Sequence, residues 1–252
     1  GNAEAVGSML HFEIRMPNAK WYNAAAVNAA YSLNAAKPAK LRPRVSDAAF
    51  APHPNAKAYA TAMATDFVGS VPSPGWLTAA EADLEGAVVS LDKFAESLLA
   101  LPGATRVTAP TIRLYLGFFL RIPDYPGLDY WIRKVRSGTS LDTAASQFAA
   151  GSEFTRRYGA LGNSEYVTQL YRNLFARGPD PSGLDYWVRR LDGGAKRGWV
   201  MRQMCESPEY VNNKAQEVGV VSAYFGLLGR APSDGELTGW STMARANSGA
   251  LS

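Results

Sequence analysis

Apolar residues in the middle of the chain recur with the spacing of helices that bury one face. Two segments show apolar residues at i, i+3, i+4 and i+7: Leu128, Trp131, Ile132 and Val135 in one, and Leu184, Trp187, Val188 and Leu191 in the other. Shorter apolar stripes with the same helical period precede and follow each segment. We therefore predict a mainly α fold in which each unit consists of three short helices.

Residues at the ends of these segments match the preferences of helix termini. Asp180 is placed to cap a helix that opens with proline, and Ser73 gives the same signal earlier in the chain. Gly138 and Gly194 follow the Trp-bearing segments, where glycine is the common residue just past a helix end. The sequence therefore predicts where these helices begin and where they break.

The chain contains an internal repeat. The pentapeptide Gly-Leu-Asp-Tyr-Trp begins at Gly127 and again at Gly183, 56 residues later, and flanking residues match at the same displacement. A third copy follows 53 residues further on, and a weaker copy without the Arg and the Trp precedes them all. We predict four helical repeats: a degenerate one at 57–102, complete ones at 111–158 and 165–213, and a truncated one at 219–252.

Charged residues recur in the copies at positions that suit helix surfaces and helix ends. An arginine follows the first helix in each of the last three copies, where a cation suits the terminal carbonyls: Arg121, Arg177 and Arg230. Asp and Arg at i, i+4 predict weak surface ion pairs on the Trp-bearing helices: Asp129 with Arg133, and Asp185 with Arg189.

The repeated tryptophan is the best candidate for an anchor between neighbouring helices. Units this small bury little surface alone, so stacking against neighbours is expected. Burying a large aromatic side chain stabilises by roughly 2–3 kcal/mol. We predict repeat anchors at six positions: Trp131, Trp187, Trp240, Leu128, Leu184 and Leu237. The alternative role for these tryptophans is that of a sugar-stacking platform on the surface.

The second copy resembles a known bacterial family. Residues 170–210 read Leu-Tyr-Arg, then Arg-x-Pro-Asp-x-x-Gly-Leu-x-Tyr-Trp, a Gly, and Ser-Pro-Glu-Tyr. This pattern is similar to the domain of unknown function DUF4214, which occurs in secreted and cell-surface bacterial proteins. The resemblance implies a largely helical, extracytoplasmic, non-catalytic module that is often appended to another domain.

The N-terminal stretch has a different character. Residues 10–15 alternate like a strand with one wet face. Residues 1–36 resemble the closing stretch of lysostaphin-type (LytM-like) zinc metallopeptidases, which are β-rich peptidoglycan endopeptidases. By this resemblance His11 matches a zinc ligand, whereas Met9 replaces the catalytic histidine, and a thioether cannot move a proton. The alternative for His11 is an ordinary strand histidine.

We therefore expect residues 1–36 to be the β-containing remnant of a truncated peptidase domain. Residue 1 is glycine rather than methionine and no export segment follows it, so we expect a fragment or a processed piece. This piece has one of three zinc ligands, and zinc is expected only in a longer parent. Residues 37–56 form a basic, Pro-containing linker that has the charge to contact an anionic wall polymer.

Composition limits the remaining chemistry. The 26 Lys and Arg against 22 Asp and Glu give a net charge of +4, spread along the chain rather than gathered into a nucleic-acid-binding stripe. No apolar run approaches the roughly 20 residues of a membrane helix. One cysteine, Cys205, excludes an internal disulfide, and with two histidines it leaves too few ligands for a zinc module built from Cys and His. Cys205 lies at an apolar helical position and is predicted to be a core residue.

These observations favour a non-catalytic attachment or interaction module of a secreted bacterial protein, located outside the cell or at the cell wall. The expected partner is a cell-wall polymer or an extracellular protein, with no nucleic acid and no membrane span. The first alternative is the C-terminal part of a zinc-dependent peptidoglycan endopeptidase whose catalytic core lies upstream. The second is a protein-binding scaffold.

Overall fold

The protein is mainly helical in the computed structural model, which describes residues 45–248. No strand occurs within that range. The predicted β segment, together with Met9 and His11, lies outside the described residues. Among the helices of residues 45–248, none combines the length and the apolar character needed to cross a membrane.

The chain divides into two compact units. Unit 1 comprises the chain up to Thr105, Ser222–Gly229 and the segment from Glu236 onward, and unit 2 comprises Arg106–Val221 and Arg230–Gly235. Both units contain fully buried aromatic side chains, for example Phe50 and Tyr59 in unit 1 and Phe118 in unit 2. Each unit therefore has an apolar core of its own.

Unit 1 begins with a single 3-10 turn, Asp47–Phe50, and three helices: α1 (Ala56–Val68), α2 (Pro74–Glu85) and α3 (Leu91–Leu99). The Ser73 hydroxyl accepts from the Trp76 backbone N–H, and proline occupies the first turn of α2, which confirms the predicted helix start. Ala223 and Leu227 from the later segment join the core that these helices form.

Unit 2 contains eight helices in chain order: α4 (Ala109–Phe119), α5 (Tyr125–Arg136), α6 (Leu141–Ala150), α7 (Ser152–Tyr158), α8 (Asn163–Phe175), α9 (Pro181–Asp192), α10 (Arg197–Cys205) and α11 (Pro208–Asn213). Then α12 (Ala215–Ala223) runs into a π-helical turn, Tyr224–Leu228, and α13 (Asp234–Ser248) follows. Residues 109–158 and 163–213 thus contain four helices each where three were predicted. The additional helices, α7 and α11, are short, and each buries an aromatic side chain, Phe154 and Tyr210 respectively.

The predicted helix ends of unit 2 are confirmed. Asp124 Oδ1 and Asp180 Oδ1 accept from the backbone N–H of the residue three positions later, each at 2.8 Å. Gly138 and Gly194 follow α5 and α9 with φ of 101° and 93°, a conformation that favours glycine. Because the same devices start and stop both Trp-bearing helices, α5 and α9 contain 12 residues each.

Candidate functional site

The tryptophans of α5 and α9 are partly buried, and each contacts the next long helix along the chain. Trp131 lies edge-on to Phe148 of α6, with ring centroids 5.0 Å apart and planes at 81°. Trp187 contacts Trp199 of α10 at 6.3 Å and 65°. The two indoles therefore pack on corresponding helices, but on aromatic rings at different positions of those helices.

The other predicted anchors differ in burial. Trp240 is partly buried in unit 1, where its Nε1 donates to the Tyr224 hydroxyl at 3.1 Å. Leu128 is buried, whereas Leu184 and Leu237 are partly buried. The anchoring role of these residues stays a prediction.

Arg121 and Arg177 occupy matching surroundings at the ends of α4 and α8. The Arg177 guanidinium lies 5.2 Å from the Tyr171 ring centroid and donates to both carboxylate oxygens of Glu209, at 3.1 and 2.7 Å. The Arg121 guanidinium lies 5.9 Å from the Tyr115 ring centroid, and its Nε is 3.5 Å from Glu153 Oε1.

Each arginine also donates to the backbone carbonyl of the next residue, at 3.3 Å in both cases. The predicted contact of these cations with terminal carbonyls is therefore confirmed. The ion pairs to Glu153 of α7 and Glu209 of α11 tie the short helices to the ends of α4 and α8. They explain why Glu-Phe and Glu-Tyr recur, which the sequence alone did not.

The glycine that opens the repeated pentapeptide makes room for a tyrosine hydroxyl. A Cβ atom at Gly127 would lie 2.8 Å from the Tyr115 hydroxyl, and one at Gly183 would lie 2.5 Å from that of Tyr171. Burial, together with the nearby Asp124 carboxylate, raises the pKa of Tyr115 to about 12. Hydrogen bonds from Ser182 and the Gly183 backbone lower the pKa of Asp180, which keeps this capping carboxylate ionised.

Tyr130 and Tyr186, the residues before the two tryptophans, are the large aromatic side chains most open to solvent in unit 2. Tyr130 is 52% exposed and Tyr186 is 47% exposed. Each ring lies edge-on to the indole that follows it, at 5.3 Å and 4.9 Å between centroids. The helix therefore directs the tryptophan toward its neighbour and leaves the tyrosine outside.

A cation accompanies each exposed tyrosine one helical turn later. Lys134 Nζ lies 5.7 Å from the Tyr130 ring centroid, and Arg190 Cζ lies 5.1 Å from that of Tyr186. We call these surfaces the tyrosine faces and define them by their residues: Asp129, Tyr130, Arg133 and Lys134 for the first, and Asp185, Tyr186, Arg189 and Arg190 for the second.

The predicted i, i+4 ion pairs are present on both tyrosine faces. Asp129 pairs with Arg133, and Arg189 Nε lies 2.9 Å from Asp185 Oδ1. A surface depression of about 500 Å³ adjoins the first face, and it is lined by Pro126, Asp129, Tyr130, Arg133, Lys134 and Ser137. This arrangement offers ring stacking and charge-assisted hydrogen bonding.

Neither tyrosine face contains a group suited to moving a proton at neutral pH. Within residues 45–248, no three His, Cys, Asp or Glu side chains cluster closely enough to hold a metal ion. Cys205 is fully buried, and burial raises the pKa of its thiol well above the usual value. The prediction that Cys205 is a core residue is therefore confirmed.

Residues 145–214 match the family model of DUF4214, described as a domain of unknown function. The match runs from within α6 to the end of α11 and its following residue, so it includes the second tyrosine face. It confirms the family resemblance seen in residues 170–210. A search of the curated proteins and a search of the solved structures found no match. The peptidase resemblance of residues 1–36 stays a prediction.

Proposed function

We propose that the chain is a non-catalytic attachment module of a secreted bacterial protein and acts outside the cell or at the cell wall. In this proposal the helices form tandem repeats, each with three main helices and a short fourth one. The observation that carries the proposal is the tyrosine face, which recurs on α5 and α9 with the same exposed ring, the same ion pair and a cation at the same place.

The third copy separates the tyrosine face from the packing of the Trp-bearing helix. It keeps Trp240, but Gly239 stands at the tyrosine position, and Thr242 and Met243 stand at the two cation positions. A Trp-bearing helix therefore forms in this chain without the tyrosine or the cations. The tyrosine and cations of α5 and α9 are thus free to serve binding.

Two equivalent faces suit a ligand that is itself repetitive. When one face is occupied, a second site on the same molecule meets the polymer at a raised effective concentration, so two weak contacts give firm attachment. A cell-wall polymer has this property. The zinc endopeptidase alternative rests on residues 1–36 and on no feature of the described helices.

Cosedimentation with purified bacterial cell walls tests the proposal. We expect the wild-type chain to sediment with the walls, and a variant with Tyr130→Ala and Tyr186→Ala to remain largely in solution because both rings are lost. Met243→Ala is the matched control, since Met243 is exposed and occupies the corresponding site in the third copy. It should sediment like the wild type.

Two results would contradict attachment to the wall. The first is a wild-type chain that stays in solution with walls but retains specific proteins from an extracellular extract, which favours the scaffold alternative. The second is a double variant that sediments as completely as the wild type, which would show that the tyrosine faces do not carry the binding.

A further inference from the structure

We infer that each tyrosine face binds a sugar ring that carries a carboxylate, with the ring against the tyrosine and the carboxylate on the neighbouring cation. This inference rests on the proposed attachment function and adds the chemical class of the ligand. It is carried by three features of the faces: an oriented aromatic ring, an excess of one positive charge and a depression of suitable size.

The aromatic ring is exposed and yet held in place. About half of Tyr130 and of Tyr186 faces solvent, while the edge-on contact with the adjacent indole restricts how each ring turns. Tyrosine has few rotatable bonds, so fixing it on binding costs little conformational entropy. A pyranose presents a flat patch of C–H groups that stacks on such a ring, whereas an extended polyol phosphate presents no comparable surface.

The charges of each face leave one cation for a ligand. The carboxylate of Asp129 is engaged by Arg133, and that of Asp185 by Arg189. Lys134 and Arg190 then supply a second positive charge beside the tyrosine rings, so each face has one acidic and two basic side chains. This balance complements a single anion close to the stacked ring. An arginine binds a carboxylate in bidentate fashion, so the second face gains specificity as well as charge.

The depression beside the first face is large enough for such a ligand. Its volume of about 500 Å³ lies within the range of roughly 300–1,000 Å³ that is common for small-molecule sites. Ser137 at one end adds a hydroxyl for a sugar hydroxyl, and Pro126 adds apolar wall. A neutral sugar would use the ring and the hydroxyl but leave the extra cation without a partner.

Calorimetric titration of the full chain with oligogalacturonate tests the inference, with the methyl-esterified oligosaccharide as the control ligand. The two ligands share their rings and differ only in the carboxylate. We expect oligogalacturonate to bind at least about tenfold more tightly than the ester. The difference should shrink as salt is added, because the faces are exposed to solvent.

Variants separate the contribution of the ring from that of the charge. Tyr130→Ala with Tyr186→Ala should weaken oligogalacturonate binding by at least about tenfold, whereas the corresponding Phe variants keep the ring and should bind nearly as the wild type. Lys134→Met with Arg190→Met should bring the acid and the ester to similar affinity. Unchanged far-UV circular dichroism would show that each variant is folded, and the Phe and Met variants keep the test valid if the Ala variant is not.

Three results would overturn the inference: no binding of oligogalacturonate, equal binding of the acid and the ester, or binding that survives loss of both tyrosine rings. The last would indicate attraction of any polyanion. Cosedimentation with walls distinguishes these failures from failure of the proposed function. A chain that sediments with walls through its tyrosines but ignores oligogalacturonate retains the attachment function and refutes only the ligand class.

Discussion

Replacing Arg113 with leucine should destabilise unit 2 more than the loss of an exposed ion pair does. Arg113 lies on α4, and its Nε and Nη2 donate to the two carboxylate oxygens of Glu206 at 2.8 and 2.7 Å. The two side chains are only 10% and 22% exposed. The pair joins residues that are 93 positions apart in the sequence, one in each of the two full copies. Its loss therefore leaves a largely buried carboxylate without its arginine.

The expected loss follows from that burial. Removing one partner of a fully buried ion pair costs about 3–5 kcal/mol, because the remaining charge is poorly solvated. Since Glu206 keeps some contact with water, we expect about 2–3 kcal/mol for Arg113→Leu. With a denaturant slope of about 2 kcal/mol/M, the midpoint of urea unfolding should fall by about 1 M.

Urea unfolding followed by circular dichroism measures the effect, with Arg189→Leu as the matched control. The control breaks an ion pair whose side chains are 78% and 57% exposed, and such pairs contribute little. Adding Glu206→Leu to Arg113→Leu should restore part of the stability, because two apolar side chains replace the orphaned charge. The reasoning fails if Arg113→Leu lowers the midpoint no more than Arg189→Leu, or if the double variant is no more stable than the single one.

Three further predictions concern packing and titration in unit 2. Gly198→Ala should destabilise by about 1–3 kcal/mol in urea, because the added Cβ would lie 2.6 Å from the Ala145 carbonyl oxygen; Gly219→Ala, with nothing within 4 Å, should be neutral or stabilising. The Cys205 thiol, fully buried, should react with a thiol reagent only at the rate of unfolding. Spectrophotometric titration should find one tyrosine, Tyr115, ionising near pH 12. Because the unfolded chain loses this proton near pH 10, its contribution to the free energy of unfolding should be present below pH 10 and be lost as the pH rises toward 12.

Local signals in the sequence predicted much of the helix framework. The carboxylate of Asp180 caps α9, the hydroxyl of Ser73 caps α2, and Gly194 ends α9 in a left-handed conformation. Each of these features depends on residues within one or two helical turns, so spacing alone reveals them. The i, i+4 ion pairs on α5 and α9 were predictable for the same reason.

Features that depend on distant residues were not predictable. The Arg113–Glu206 pair has no counterpart within the repeat, because Gln169 stands 56 residues after Arg113 and Ala150 stands 56 residues before Glu206. The short helices α7 and α11 were missed because six or seven residues give too little period to recognise. The helical period placed the tryptophans on an apolar stripe but did not reveal that they are only partly buried, since burial depends on what the neighbouring helix supplies.

The repeated pentapeptide shows how one helix serves both packing and binding. Its glycine accommodates a tyrosine hydroxyl from the preceding helix, its aspartate pairs with an arginine one turn later, and its tryptophan packs on the following helix. Adjacent residues on a helix point about 100° apart, so a tryptophan turned toward a neighbour leaves the preceding tyrosine beside the packed surface. Tyr130 and Tyr186 are the members of the pentapeptide whose large apolar area folding does not remove from water. An aromatic ring in that place adds little to stability, which is why we assign its recurrence to a ligand.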